Sequence, residues 1–178
     1  REKEVLEEVR DIVRRASERS KEALDESREI LKTVDDEVRR VLEDSRRLLE
    51  EVRKRVEDNN VDEDIRRRVK EVEDRIRESL ERTKRTVDKV KEEIRKSLED
   101  TKRANEEIVR RIEELIKRRE GDAREIVERV RRLVDTSRRL VEEDVRRVRE
   151  VVKELRKLLR EDVKRVRDVV EELAKEAT

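Results

Sequence analysis

The chain has no cysteine, histidine, proline, methionine or aromatic residue, and a single glycine among its 178 residues. Each absence closes off some chemistry. Without cysteine there is no disulfide, no thiolate nucleophile and no zinc–thiolate centre, and the redox compartment cannot be read from the sequence. Without histidine there is no imidazole base or ligand and no switch near neutral pH. Without aromatics there is no platform on which single-stranded bases could stack, and no Trp or Tyr anchor for an interface. No apolar run approaches the roughly 20 residues of a membrane span, and no signal peptide is visible. The sequence begins at Arg1 rather than Met, which leaves room for an upstream tag or leader.

What remains is mostly charge. Charged residues make up 59% of the chain and aliphatic ones most of the rest, with 53 basic against 52 acidic side chains for a net charge of +1. Neither sign dominates, and no third of the chain forms a basic arm. Disorder would require apolar residues without pattern. Here Val, Leu, Ile and Ala recur on a strict period among good helix formers, so order is expected. The length suits one domain over residues 1–178.

The period is 18 residues. Val5-Leu-Glu-Glu-Val-Arg-Asp-Ile-Val13 returns as Ala23-Leu-Asp-Glu-Ser-Arg-Glu-Ile-Leu31 and as Val41-Leu-Glu-Asp-Ser-Arg-Arg-Leu-Leu49. Ile76-Arg-Glu-Ser-Leu-Glu-Arg-Thr83 returns as Ile94-Arg-Lys-Ser-Leu-Glu-Asp-Thr101. Asp144-Val-Arg-Arg-Val-Arg-Glu-Val-Val152 returns as Asp162-Val-Lys-Arg-Val-Arg-Asp-Val-Val170. Within the repeat the inward positions step 4, 3, 4, 4, 3, as in Val5, Val9, Ile12, Ala16, Ser20 and Ala23. Five steps in 18 residues average 3.6, the turn of an unsupercoiled α-helix. Periods of 3.5 and 3.67 would drive left- and right-handed supercoils, so essentially untwisted helices are expected.

A second apolar row (Leu6, Val13, Leu24, Leu31 in the first third; Ile126, Leu133, Leu140 in the last) widens the face enough to touch two neighbours, as a bundle requires. The corresponding row of the middle third, Ser79, Thr86, Ser97, Ala104 and Leu115, is small or polar. It predicts one face near solvent or against a close neighbour.

The period breaks twice. At Glu57-Asp-Asn-Asn-Val-Asp62, Asn59 or Asn60 suits the left-handed cap, Asp62 the N-cap, and Val61 a staple onto the next helix. At Glu120-Gly-Asp-Ala-Arg-Glu125, Gly121 suits the C-terminal cap, with Asp122 and Glu125 as a capping box. The expected fold is all-α: a single-chain antiparallel three-helix bundle with helices near 2–58, 62–120 and 122–176, each about 80 Å long at 1.5 Å per residue. On the outer faces Glu142/Arg146, Glu161/Arg165 and similar pairs place an acid four residues before a base, each worth about 0.2–0.5 kcal/mol.

Polar residues interrupt the inward stripes, among them Ser27, Ser45 and Thr83. Folding the hairpins about residues near 60 and 121 gathers Ser17, Ser20, Thr101, Asn105 and Ser137 into one zone. The repeat has Val87 and Val69 where Asn105 stands, and Leu155 and Leu173 where Ser137 stands, so polarity there is not inherited. For the hydroxyls the plainer expectation is a bond back to their own helix. For Asn105 it is a bond across helices, since a buried amide left unpaired costs about 1–3 kcal/mol. The expected role of this layer is structural, fixing register and topology. It is not expected to be catalytic, because no base or oxyanion site is at hand.

The 18-residue period, the paired caps and the lack of Pro and aromatics resemble computationally designed, parametrically generated helical bundles. The resemblance is one of style over the whole chain and transfers no active residue. It implies a structural scaffold. Composition and patterning argue separately against enzyme activity, a cofactor, metal, nucleic acid, membrane or small-molecule substrate, and the small or polar second row of the middle third favours a monomer that needs no partner. The alternative is a helical interaction module that pairs with another helix or with itself.

Overall fold

The computed structural model describes residues 2–119 and 121–176. They form three α-helices: α1 (Glu2–Asp58), α2 (Glu63–Arg118) and α3 (Ala123–Glu176), with no strand among the described residues. Pairing in the half of the molecule around the first connection shows the directions. Val56 clusters with Val69, whereas Leu49, two helical turns earlier, clusters with Ile76 and Leu80. Arg68 meets Glu176, whereas Thr83 meets Asp162. Consecutive helices therefore run antiparallel, as four-residue connections demand.

The helix ends follow local chemistry. Asn60 takes the left-handed conformation (φ 49°) that stops α1. The Asp62 carbonyl then accepts Arg66 N at 3.0 Å as α2 begins. Val61 packs against the cluster of Val52, Val56 and Val69, pinning the entry of the chain into α2. At the second connection the stop comes earlier than expected. Arg119, not Gly121, occupies the left-handed position next to the helix (φ 49°), so α2 closes at Arg118; the expected end at 120 lies outside the described residues. Gly121 has φ 98° further along the connection, under the Glu125 carboxylate. A Cβ on Gly121 would run into Glu125 Oε2. Asp122 caps α3: its Oδ1 accepts Glu125 N at 2.8 Å and its carbonyl accepts Ile126 N at 3.1 Å.

The chain divides into two compact units, Arg1–Ile30 with Glu92–Glu150, and Leu31–Lys91 with Val151–Thr178. In the first, Leu6, Val9 and Val13 of α1 close on Ile108, Ile112 and Ile116 of α2 and on Ile126 and Val130 of α3. In the second, Leu49, Val52 and Val56 close on Val69, Ile76 and Leu80 and on Val166 and Leu173. Val34 and Val87 in that unit are wholly buried. Burial of each such side chain contributes about 1.5–3 kcal/mol.

Two apolar positions depart from the inward pattern. Ile12, on the expected inner stripe of α1, is 47% exposed, and Leu158 of α3 is 40% exposed. Successive helical residues point about 100° apart. With Val9 and Val13 both buried, Ile12 is left at the flank of the stripe, on the side of α3. The ion pairs also differ from the expected set. Glu142 meets Arg138 and Arg165 turns to Asp162. Pairs between helices are present too: Arg28–Glu99, Lys91–Asp35 and a forked Arg156–Glu37 contact. Exposed pairs differ by only tenths of a kcal/mol, too little for sequence spacing to select one partner.

Candidate functional site

The five residues expected to share a polar layer separate into two groups. Ser137 Oγ donates to Asn105 Oδ1 at 2.8 Å, linking α3 to α2. Asn105 Nδ2 is buried without a hydrogen-bond partner among the described residues. Asn105 and Ser137 line a cavity of about 570 Å³ between α1 and α2, whose wall includes Ser17, Ser20, Val13 and Ile108. Ser20 is half-buried and Ser17 is exposed at the rim, a helical turn from the centre. Thr101 is buried, but its hydroxyl turns away from Ser20 and donates to Asp144 Oδ2.

That bond belongs to a network that sequence reasoning missed. Asp144 is only 7% exposed. Its Oδ2 accepts Thr101 Oγ1 and its Oδ1 accepts Ser97 Oγ at 3.3 Å, while Arg147 Nη1 donates to Ser97 Oγ at 3.4 Å from the rim. The other unit repeats the arrangement. Asp162, also 7% exposed, accepts Thr83 Oγ1 at 2.6 Å. Arg165 Nη1 lies 3.8 Å from Asp162 Oδ1 and donates to Ser79 Oγ at 3.3 Å. Ser79 and Thr83 precede Ser97 and Thr101 by 18 residues, and Asp162 and Arg165 follow Asp144 and Arg147 by 18.

The local folding is simple. Ser and Thr four apart lie on one face of α2, and Asp and Arg three apart lie on the facing side of α3. The small second row of α2 gives the carboxylate room to approach. The sequence did carry a signal. Stepping inward from Ser137 by 4, 3, 4, 4, 3 lands on Val141, Asp144, Val148, Val152 and Leu155, and the same steps reach Asp162. Both aspartates occupy core positions, and Ile126 holds the equivalent position one repeat earlier. On α1, Ser27 and Ser45 are buried at the same 18-residue spacing, and Ser27 Oγ bonds back to Ala23 O at 3.0 Å. Thr86 and Thr136 likewise bond to their own helices, at Arg82 O and Arg132 O.

At Asp144 both carboxylate oxygens accept a hydroxyl proton, and the two hydroxyls face a buried carboxylate rather than an open cleft. Among the described residues no group of three or more Asp or Glu is disposed to hold a metal ion, and no helix is long and apolar enough to cross a membrane. No protein-family model, no curated protein and no solved structure matches the chain.

Proposed function

We propose that the chain is a designed structural scaffold: an idealised, monomeric three-helix bundle without catalytic activity of its own. The observation that carries this reading is the pairing of interior hydroxyls with interior carboxylates, repeated once in each unit. Groups that could be reactive serve instead as matched donors and acceptors of the fold, as in deliberate buried networks. The 18-residue period supports the same reading, since it gives straight helices that pack without a left-handed supercoil. Long apolar stripes and capped ends favour high stability.

Light scattering coupled to gel filtration, with thermal and guanidinium unfolding, tests the proposal. The expected result is one species of 21.7 kDa with a midpoint above about 90 °C. A mass of two or three chains would overturn the monomer, and a midpoint of about 45–65 °C, ordinary for natural domains, would overturn the idealised scaffold. A second reading, a helical interaction module, draws on the exposed Ile12.

A further inference from the structure

We infer that the groove between α1 and α3 in the first unit is a docking surface for an acidic amphipathic helix. Ile12 and Val134 line two adjoining hollows there, of about 550 and 140 Å³. The α1 side of the floor is small, Ala16 and Ala23, and the α3 side is aliphatic, Val127 and Val141. Among the described residues Ile12 is the most exposed large apolar side chain, at 47%. The floor follows the inward stepping of α1 from residue 12 to 23, about three helical turns.

The charges on the two banks say what fits. The carboxylates at the groove, Asp135 and Glu142, are held by Arg138, and Asp135 also by Arg139. Arg15 and Arg19 on α1 and Arg131 on α3 line the same groove and have no carboxylate partner among the described residues. An apolar floor between unpaired guanidiniums is complementary to a helix with an apolar stripe flanked by Glu or Asp. Such a helix lays its stripe into the groove and its acids against the arginines. Small floor residues let its backbone approach closely. A nucleic-acid strand fits less well, because it would set phosphates over Ile12 and Val134 and would find no aromatic residue on which to stack.

The test uses the full chain and a fluorescent, acetylated peptide of about five helical turns, with Leu at i, i+3, i+4 and i+7 spacing and Glu elsewhere. Anisotropy at low salt is expected to show saturable binding that weakens as salt rises. Ile12→Asp should weaken it by about tenfold or more. So should the combined Arg15→Glu, Arg19→Glu and Arg131→Glu variant, which should in turn bind the same peptide with Lys in place of Glu. These side chains are exposed, so circular dichroism should report unchanged helicity. Four results would overturn the inference. These are absence of saturable binding, binding indifferent to Ile12→Asp, equally tight binding of an oligothymidylate of matched charge, and a dimer of the chain that Ile12→Asp dissociates. The last would make the occupant a second copy.

Discussion

Replacing Thr101 with valine deletes one hydroxyl and leaves the interior volume almost unchanged. Asp144, 7% exposed, would keep Ser97 at 3.3 Å as a donor but lose its closer partner. A hydrogen bond to a charged acceptor contributes about 1.5–3 kcal/mol, and the remaining carboxylate oxygen cannot recover water at this burial. We expect Thr101→Val to cost about 2 kcal/mol, or roughly 4–8 °C in a chain of this size. Replacing the whole network should behave oppositely. Ile126, one repeat before Asp144, is 2% exposed, so α3 accommodates isoleucine at this phase. The triple variant Asp144→Ile, Thr101→Val and Ser97→Ala should therefore match or exceed the parent, because no buried polar group is left behind. Guanidinium unfolding followed by circular dichroism gives both numbers. The reasoning fails if Thr101→Val lies within about 0.5 kcal/mol of the parent, or if the triple variant is less stable than the single one. The twin site supplies an internal control: Thr83→Val shares no partner with Thr101→Val, so the two costs should add within about 0.5 kcal/mol.

Other changes probe the remaining features. Asn105→Val with Ser137→Leu should hold or raise stability, since it removes the buried Nδ2 that has no partner among the described residues; Asn105→Val alone should gain less, and a double-mutant cycle reads the difference as coupling. Arg119→Gly should stabilise by about 0.5–1 kcal/mol by relieving a left-handed non-glycine residue, measured as a shift in denaturation midpoint at constant slope. Gly121→Ala should lower the midpoint, because φ 98° strains any Cβ and the Glu125 carboxylate lies over it; an unchanged midpoint would mean that the connection relaxes freely. Asp122→Ala should cost about 1 kcal/mol by exposing the Glu125 amide, and Asp122→Asn should retain most of that stability.

The helices and their connections were legible because their signals are local. Asn60 and Asp122 act where their residue types suggest, since a left-handed turn and a side-chain cap are decided within a few residues. Arg119 was not legible. A glycine two positions later is the better left-handed residue in isolation, yet the left-handed position next to the helix falls on Arg119. Ser137 and Asn105 could be matched by folding the hairpin on paper, because both break a repeat that is otherwise apolar. Asp144 and Asp162 escaped notice for the opposite reason: they recur with the repeat and look like ordinary members of a charged surface. Their burial follows from phase rather than from residue type. Ile12 was misplaced because a stripe two rows wide does not say which row lies at its centre.

The 18-residue spacing of the two aspartate networks has a consequence for the length of the protein. Eighteen residues at 100° each complete five whole turns, so adding or removing one such block returns every later side chain to the direction it had before. Most natural bundles lack this property, and an inserted stretch rotates everything beyond it. Here a block excised from each of the three helices at matching levels would carry away one aspartate network and leave the other in register with its own partners. The caps at Asp62 and Asp122 draw on neighbours within four residues and would not sense the change. Size is thus an adjustable quantity in this chain, in increments of about 27 Å per helix.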